Sequence, residues 1–317
     1  MQQHPNGEKD IYGAIGNQHF RYYKLENAEA ITLSGQVSIR WIENRMNQKI
    51  NHILKTKDTD YVIASDTDSI YLNLGPLVEV IYKEREKTTE SVVGFLNKIC
   101  EVEFEKYIEN IADRGIWTAK KRYILNVWDS EGVRYSEPKL KIMGIEAVKS
   151  STPAPCRKAI KDALKVMMSG TEDEMIDFID QFRKKFKSLP PEEISFPRTV
   201  SDVVKYKGRN AIYEKGTPIH ARGSLLFNHH VKRLGLEGKY SLIGNGEKVK
   251  FCYLRSPNPI HENVMSFIQD FPREIGIEKY IDYDLQFEKS FLDPLKIILD
   301  VIQWNVEKTA SLESFFS

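Results

Sequence analysis

Two aspartates stand one residue apart in the polar segment Ser65-Asp-Thr-Asp-Ser69. In a tight turn, carboxylates at this spacing come closer together than their mutual repulsion favours. A hard divalent cation such as Mg²⁺ relieves that repulsion, because it takes oxygen ligands. Asp, Ser and Thr are also common in surface turns, and the triplet alone favours that simpler interpretation. The apolar runs on both sides would fix the turn in a sheet, and they make Asp66 and Asp68 candidate metal ligands.

Cationic side chains that could bind a polyanion gather in the middle of the chain. Basic residues outnumber acidic ones between Gly115 and Lys250, whereas the flanking segments are acidic and the formal net charge is +1. A basic stretch of this kind can bind nucleic acid through its phosphates, but an ordinary lysine-rich surface has the same composition. The stretch includes the cluster Lys120-Lys-Arg122. Charge alone leaves both interpretations open.

Length and composition limit the class of protein. The 317 residues, of which 41% are hydrophobic, are enough for one large or two modest domains. No apolar run approaches the roughly 18 residues of a membrane helix, and the first ten residues lack the apolar core of a signal peptide. Cys100, Cys156 and Cys252 are too far apart in sequence to suggest zinc or a disulfide framework. We expect buried free thiols in a reducing cytoplasm.

Hydrophobic periodicity predicts the elements that position these residues. Helices are predicted over residues 31–54, 90–110, 153–170, 172–186 and 292–307. Strands are predicted over residues 61–64 and 70–74, which form a hairpin around the two aspartates, and over 123–128 and 139–143. The segment Ser150-Ser-Thr-Pro153 is typical of a helix start with a hydroxyl N-cap. The composition changes near residues 145–150, where we expect a domain boundary.

Three motifs in order make the chain resemble the family B DNA polymerases. Tyr61–Tyr71, with its central Asp-Thr-Asp-Ser, resembles the third palm motif of that family. Ile11-Tyr-Gly-Ala-Ile-Gly-Asn17 resembles the end of the fingers motif, and Trp117-Thr-Ala-Lys-Lys-Arg-Tyr123 resembles the primer-grip motif. Within the family the likeness is to the replicative polymerases of T-even-like bacteriophages, as in Lys139-Leu-Lys-Ile-Met-Gly144 and Lys149-Ser-Ser-Thr-Pro153. It runs from Ile11 to the last residue.

The resemblance implies an α+β fold, in which a partial palm with an antiparallel sheet and packed helices precedes a mostly helical thumb. The implied domains are the end of the fingers (1–17), the palm (18–146), the thumb (147–307) and a clamp-binding tail (308–317).

The resemblance also implies roles for residues of the palm. Asp68 would ligate both Mg²⁺ ions of a two-metal site, with Asp66 beside it as a more peripheral acid. Lys121 would reach the minor groove at the primer end, supported by Lys120, Arg122 and Tyr123. Tyr12 and Gly13 would line the nascent base pair. The simpler alternatives are a solvated cationic patch at the lysines and helix packing at Tyr12 and Gly13.

In the thumb, the implied contacts are to the backbone of duplex DNA. Lys149, Ser150, Ser151 and Thr152 would bind phosphates at a helix start, and His220 and Arg222 belong to a His-x-Arg-Gly segment similar to that of the family. Leu312, Phe315 and Phe316 of the tail would anchor in a hydrophobic pocket of a sliding clamp. A generic surface role for the thumb residues and packing of the tail onto the thumb are the alternatives.

The sequence also departs from the family. The first palm motif, with the other essential metal-binding aspartate, does not occur in it, and Pro5 and Lys9 stand where the fingers motif has a lysine and an asparagine. Ser65 replaces a usual glycine, so local strain is expected at the turn.

We therefore expect a split polymerase, which is inactive alone and works on primer-template DNA and dNTPs when a second polypeptide supplies the exonuclease, first palm motif and fingers. Its place would be the cytoplasm of an infected bacterium, without a membrane partner. The alternatives are a non-catalytic remnant that binds DNA and the clamp and, with less support, a stand-alone metal nuclease.

Overall fold

The structure is a computed structural model, and it describes residues 13–66, 69–102, 108–209 and 211–308. It is an α+β fold of small sheets and helices, as the sequence predicts. The described residues form two compact units. The first contains the residues up to Ile111 together with Asp129–Arg134, and the second contains Ala112–Trp128 and the residues from Tyr135 onwards.

A long helix, α1, dominates the first unit and spans Leu25–Leu54. It begins six residues before the predicted start at Ile31, because its first turns expose their apolar side chains and do not show the expected amphipathic pattern. It ends at Lys55, which adopts a left-handed conformation with φ 55° and donates its N–H to the last turn. Met46 and Ile50 are buried in a small core with Tyr61 and Cys100.

The other elements of the first unit are short. They are β1 (Val62–Asp66), β2 (Ser69–Leu72), α2 (Gly75–Ile81) and α3 (Thr89–Val102). The prediction that α3 continues to Asn110 is wrong, since Asn110 already begins a strand. Strands β1 and β2 pair in an antiparallel manner, which confirms the predicted pairing of the two runs.

A three-stranded sheet carries the basic motif. Its strands are β3 (Asn110–Ala119), β4 (Arg122–Ser130) and β5 (Val133–Met143), in that order. The strand predicted at 123–128 is confirmed, the one at 139–143 is longer than predicted, and β3 was not predicted. Glu131 and Gly132 connect β4 to β5 with φ angles of 52° and 80°, the left-handed pair that a tight hairpin turn uses.

The remaining elements of the second unit are mostly helical. The helices are α4 (Ala154–Ser169), α5 (Glu172–Phe186), α6 (Pro191–Ile194) and α7 (Ile219–Arg233). A second three-stranded antiparallel sheet consists of β6 (Phe196–Thr199), β7 (Lys248–Tyr253) and β8 (Val264–Phe267). Short 3₁₀ turns occupy Glu146–Val148, Val203–Tyr206, Arg273–Ile275 and Glu278–Tyr280. Helix α5 has the predicted bounds, because Thr171 and Glu174 form a capping box at its start.

One hydrophobic core joins the sheet of β3, β4 and β5 to the helices of the second unit. Ile124 of β4 and Ile145 belong to the same buried cluster as Ile160, Leu164 and many residues of α5 and α7. Cys156 and Cys252 also lie in this core, and Cys100 is buried in the first unit; all three are free, as predicted. Burial raises the pKa of Cys100 and Cys156 to about 11 and that of Cys252 to about 12.

The last helical stretch differs from its prediction. It begins with α8 (Tyr283–Phe287), widens into a π turn over Glu288–Leu292, and continues as α9 (Asp293–Leu299) and a 3₁₀ turn, Asp300–Ile302. The prediction of a helix over residues 292–307 is therefore wrong at both ends, since helical structure begins at Tyr283 and ends at Ile302. The wide turn before Pro294 lets the helix include a proline. No helix in the described part of the chain is long and apolar enough to span a membrane.

Helix α7 packs closely on β8 through Gly223. A Cβ on Gly223 would lie 2.4 Å from Ser266 Oγ and 2.9 Å from Ser266 N, so a methyl group has no room there. We predict that Gly223→Ala lowers the free energy of unfolding by about 1–3 kcal/mol, because the helix must move away from the strand. Urea denaturation measures this.

Gly238→Ala is the matched control for this substitution. A Cβ at Gly238 meets nothing within 4 Å. Its effect should stay within about 0.5 kcal/mol. Equal effects of the two substitutions would contradict the close packing of α7 on β8.

Candidate functional site

The acidic motif lies at the end of the β1–β2 pair. Asp66 pairs with Ser69, and the Ser69 hydroxyl donates to the Asp66 main-chain oxygen at 3.2 Å. The Asp66 carboxylate is half-buried at this strand end, and carboxylate oxygen is the ligand type that Mg²⁺ takes. The residue therefore fits the predicted metal. Asp68 lies outside the described residues.

Helix α1 fixes the segment that enters β1. The Asn47 side chain accepts from Tyr61 N at 2.8 Å and donates to Asp60 at 2.7 Å, while Asn51 exchanges two hydrogen bonds with the Thr59 backbone. Hydrogen bonds from Asn47 and from the Val62 N–H keep the pKa of Asp60 below its usual value. The Asp66 strand is thus anchored to a helix on its entry side.

Ser65 lies within β1 and does not adopt a backbone conformation that favours glycine. It pairs with Ile70, and it is not among the residues with positive φ. The expected strain from replacing glycine is therefore not present at this position. Among residues 13–66, 69–102, 108–209 and 211–308, no three His, Cys, Asp or Glu side chains gather as a possible metal site.

The basic motif forms the turn between β3 and β4. Lys120 and Lys121 are exposed in that turn, and Lys121 has a φ of 61°. Tyr123 is buried on β4, with its ring centroid 6.0 Å from that of Trp117. The turn therefore presents two lysines to solvent, while the tyrosine belongs to the packed side of the sheet.

Gly144 lies against this lysine turn. It has a φ of 66°, and a Cβ on it would lie 2.2 Å from the Lys121 carbonyl oxygen. Only glycine allows both the left-handed conformation and the close approach. The end of β5 therefore supports the backbone of Lys121 directly.

A carboxylate, Glu146, joins two of the predicted DNA-binding cations. Arg122 donates to both of its oxygens at 3.1 and 3.0 Å, and Lys149 Nζ donates to Oε1 at 2.8 Å. Burial opposes the ionisation of Glu146, but the hydrogen bonds from Arg122 and Lys149 outweigh it and lower the pKa of the carboxyl. The guanidinium of Arg122 is therefore engaged within the protein, and no sequence motif indicates the cluster around Glu146.

The predicted hydroxyl cap at Ser150–Pro153 is wrong. Pro153 is the N-cap of α4 without a side-chain cap bond, and Pro155 lies in the first turn. Thr152 is buried, and its N–H donates to Lys149 O at 3.2 Å, so the hydroxyl segment is a turn before the helix. Ser151 O accepts from Arg198 Nη1 at 2.8 Å.

Arg198, which sequence reasoning missed, connects two of the predicted thumb sites. Besides its bond to Ser151, it lies near His220, whose pKa is lowered by burial and by the charge of Arg198. Arg222 makes contacts within the protein: its guanidinium donates to Asn263 Oδ1 and lies 5.7 Å from the ring centroid of Tyr213. Arg198 thus contacts the backbone of the Ser151 segment, and its charge also acts on His220.

Three more cations were not predicted from the sequence, because their spacing is typical of the solvent-exposed face of any helix. Arg157, Lys158 and Lys161 line a shallow surface depression beside the start of α4, together with Ala147, Val148 and Ala154. Of the remaining predicted residues, Gly13 is exposed in a first helical turn. Tyr12 and the tail residues Leu312, Phe315 and Phe316 lie outside the described residues.

Comparison with known families agrees with the motifs and the fold. A model described as DNA polymerase family B matches residues 9–229. The chain belongs to this family.

Its relatives identify the group within the family. It is 33% identical to the DNA-directed DNA polymerase of Enterobacteria phage T4 over 341 aligned positions, which cover 96% of this chain and 37% of that protein. The DNA-directed DNA polymerase of Escherichia phage RB69 matches with the same identity and coverage. DNA polymerase 2 of Aeropyrum pernix is 24% identical over 86% of this chain and 29% of its own length. The predicted likeness to T-even-like phage polymerases is confirmed, and the chain spans 37% of the length of these phage relatives.

We predict that Gly144→Ala lowers the free energy of unfolding by about 2–4 kcal/mol, because it adds a clash to an unfavourable φ. The matched control is Gly235→Ala, where φ is 62° and a Cβ meets nothing within 4 Å. The control should lose about 1 kcal/mol from φ alone. Chemical denaturation of both variants isolates the clash, and equal losses would show that Gly144 does not support the Lys121 turn.

Proposed function

We propose that this chain supplies the second part of the palm and the thumb of a DNA-directed DNA polymerase, which adds dNTPs to a primer 3′-hydroxyl. The supporting observation is that the structure forms both motifs locally. The strand that carries Asp66 is anchored by α1, and Gly144 packs against the backbone of the turn that carries Lys120 and Lys121. The proposed domains are the end of the fingers (1–17), palm (18–146), thumb (147–307) and tail (308–317).

Two Mg²⁺ ions are the proposed cofactors. Asp68 and Asp66 would hold them from this chain, and the remaining carboxylate would come from outside these 317 residues. Bound there, the two ions would activate the primer hydroxyl and stabilise the charge that develops on the triphosphate.

The other residues bind and orient DNA. Lys121 holds the primer end in the minor groove, with Lys120 beside it, while Tyr123 fixes the strand that carries them. Arg122 acts through Glu146 and not on a phosphate, since its guanidinium already binds both carboxylate oxygens. Tyr12 and Gly13 line the nascent base pair.

In the thumb, Lys149, Ser150 and Ser151 contact the duplex backbone, because backbone contacts hold DNA without regard to its sequence. Thr152 is buried and shapes the turn that presents them. The charge of Arg198 acts on His220, whereas the guanidinium of Arg222 lies 5.7 Å from the ring centroid of Tyr213 within the protein.

The rest of the polymerase is the proposed first partner, a polypeptide bearing the exonuclease, the first palm motif and the fingers. Its docking surface includes the exposed face of α1, where Val37 and Trp41 are 69% and 62% exposed at a helical spacing of four. Large exposed apolar side chains in such a row mark an interaction surface. The phage relatives are nearly three times as long as this chain, which supports a further polypeptide as the partner that covers this face.

A sliding clamp is the proposed second partner. The segment before the tail is bound to α5, as Asn305 donates to Glu172 from both its backbone and its side chain at 2.6 and 2.9 Å. The tail with Leu312, Phe315 and Phe316 therefore starts from a fixed point on the thumb. The T4 and RB69 relatives are phage proteins, and we place this function in the infected bacterial cell.

Complementation tests the proposal. The purified chain should extend a primed template only when mixed with the polypeptide from the same genome that carries the first palm motif and fingers. Asp66→Ala with Asp68→Ala in this mixture should lower the extension rate about 100-fold or more, because the metals lose their ligands from this chain.

Asp270→Ala, an exposed aspartate of the second unit, is the control and should leave the rate unchanged. Full extension by the double alanine variant would contradict the catalytic role. DNA and clamp binding without extension in any mixture would favour the non-catalytic remnant instead.

A further inference from the structure

Glu146 occupies a place where its backbone cannot shift easily. It lies in the 3₁₀ turn between Ile145, which is 0% exposed, and Ala147, which is 1% exposed, so both neighbours are fixed in the core. Gly144, one residue before Ile145, already packs on the Lys121 carbonyl. The carboxylate of Glu146 is therefore presented from a rigid segment.

Both oxygens of that carboxylate are used, and by cations from two different elements. Arg122 belongs to β4 and binds in the two-pronged geometry that gives the strongest carboxylate pairs. Lys149 follows the 3₁₀ turn and binds Oε1. The Arg122 and Glu146 side chains are only 24% and 21% exposed, so solvent screens this pair less than a surface ion pair.

Lys149 keeps the capacity to bind a further acceptor. An ammonium group has three donors, of which one goes to Glu146, and the side chain is 40% exposed. Its carbonyl also accepts from Thr152 N, which fixes the backbone. A lysine held in this way loses less conformational freedom when it binds a phosphate than a mobile surface lysine does.

We propose that Glu146 is a positioning residue for DNA: it fixes Lys149, and through Arg122 the lysine turn, for contact with the phosphate backbone of duplex primer-template. The inference rests on the proposed DNA binding and adds to it an acidic residue that favours the binding of a polyanion.

One substitution distinguishes this proposal from simple charge effects by the direction in which it changes the affinity for DNA. Glu146→Gln removes a negative charge at almost constant shape, so long-range electrostatics alone would tighten DNA binding. Positioning gives the opposite result, since the neutral amide no longer attracts two cations. We expect binding to weaken about fivefold, with the slope of log K against log salt reduced by about 1, as for loss of one phosphate contact.

The experiment measures binding of the full chain to a primer-template duplex by fluorescence anisotropy across a salt series. Glu137→Gln is the control, because it makes the same chemical change at an exposed glutamate of β5. It should leave binding unchanged or slightly tighter. Thermal unfolding of each variant checks that it is folded, and Glu146→Asp, which keeps the charge but shortens the reach, should bind with intermediate affinity.

A double-mutant cycle with Lys149→Gln distinguishes positioning from a general structural role. If Glu146 acts through Lys149, Glu146→Gln should add little to the loss that Lys149→Gln already causes. Fully additive losses, or a Glu146→Gln variant that binds as tightly as the wild type or tighter, would overturn this proposal alone. A wild-type chain without salt-dependent DNA binding would overturn the proposed function, and this proposal with it.

Discussion

The shared hydrophobic core of the second unit is the constraint on which the rest of the structure depends. Ile124 comes from the sheet that carries the lysine turn, Ile145 follows that sheet, and Ile160 and Leu164 come from α4; all four are fully buried in one cluster. Because such interiors are close-packed, the sheet cannot tilt against the helices without opening cavities. The lysine turn and the proposed DNA-binding thumb are therefore held in a fixed position relative to each other. The ion pairs of Glu146 with Arg122 and Lys149 connect them further.

The predictions that succeeded rest on local signals. Thr171 and Glu174 specify the start of α5 by themselves, and the run after Tyr123 is apolar enough to be recognised as a buried strand. Helix α7 was not predicted, because its buried face includes the polar residues Ser224 and His230, which interrupt the helical spacing of apolar residues. The hydroxyl cap failed because Pro153 takes the cap position itself.

Within the candidate site, only the contacts between residues close in sequence could be predicted from the motifs. The aspartate strand and the lysine turn follow from residues close in sequence. The Arg122–Glu146 pair joins residues 24 positions apart, and the bond from Arg198 to Ser151 spans 47. Neither pair has a sequence signal, since each depends on how sheets and helices meet in the core.

Native-state hydrogen exchange tests the central claim most directly, namely that the lysine-bearing sheet and the helices of the second unit are one cooperative body. The amides of Ile124 and Val127 in β4 should open with the same free energy as those of Ala163 and Leu164 in α4, within about 1 kcal/mol. The contrary result would be β4 amides that exchange through an opening several kcal/mol less costly while α4 stays protected. The lysine turn would then be free to move independently of the helices of the second unit.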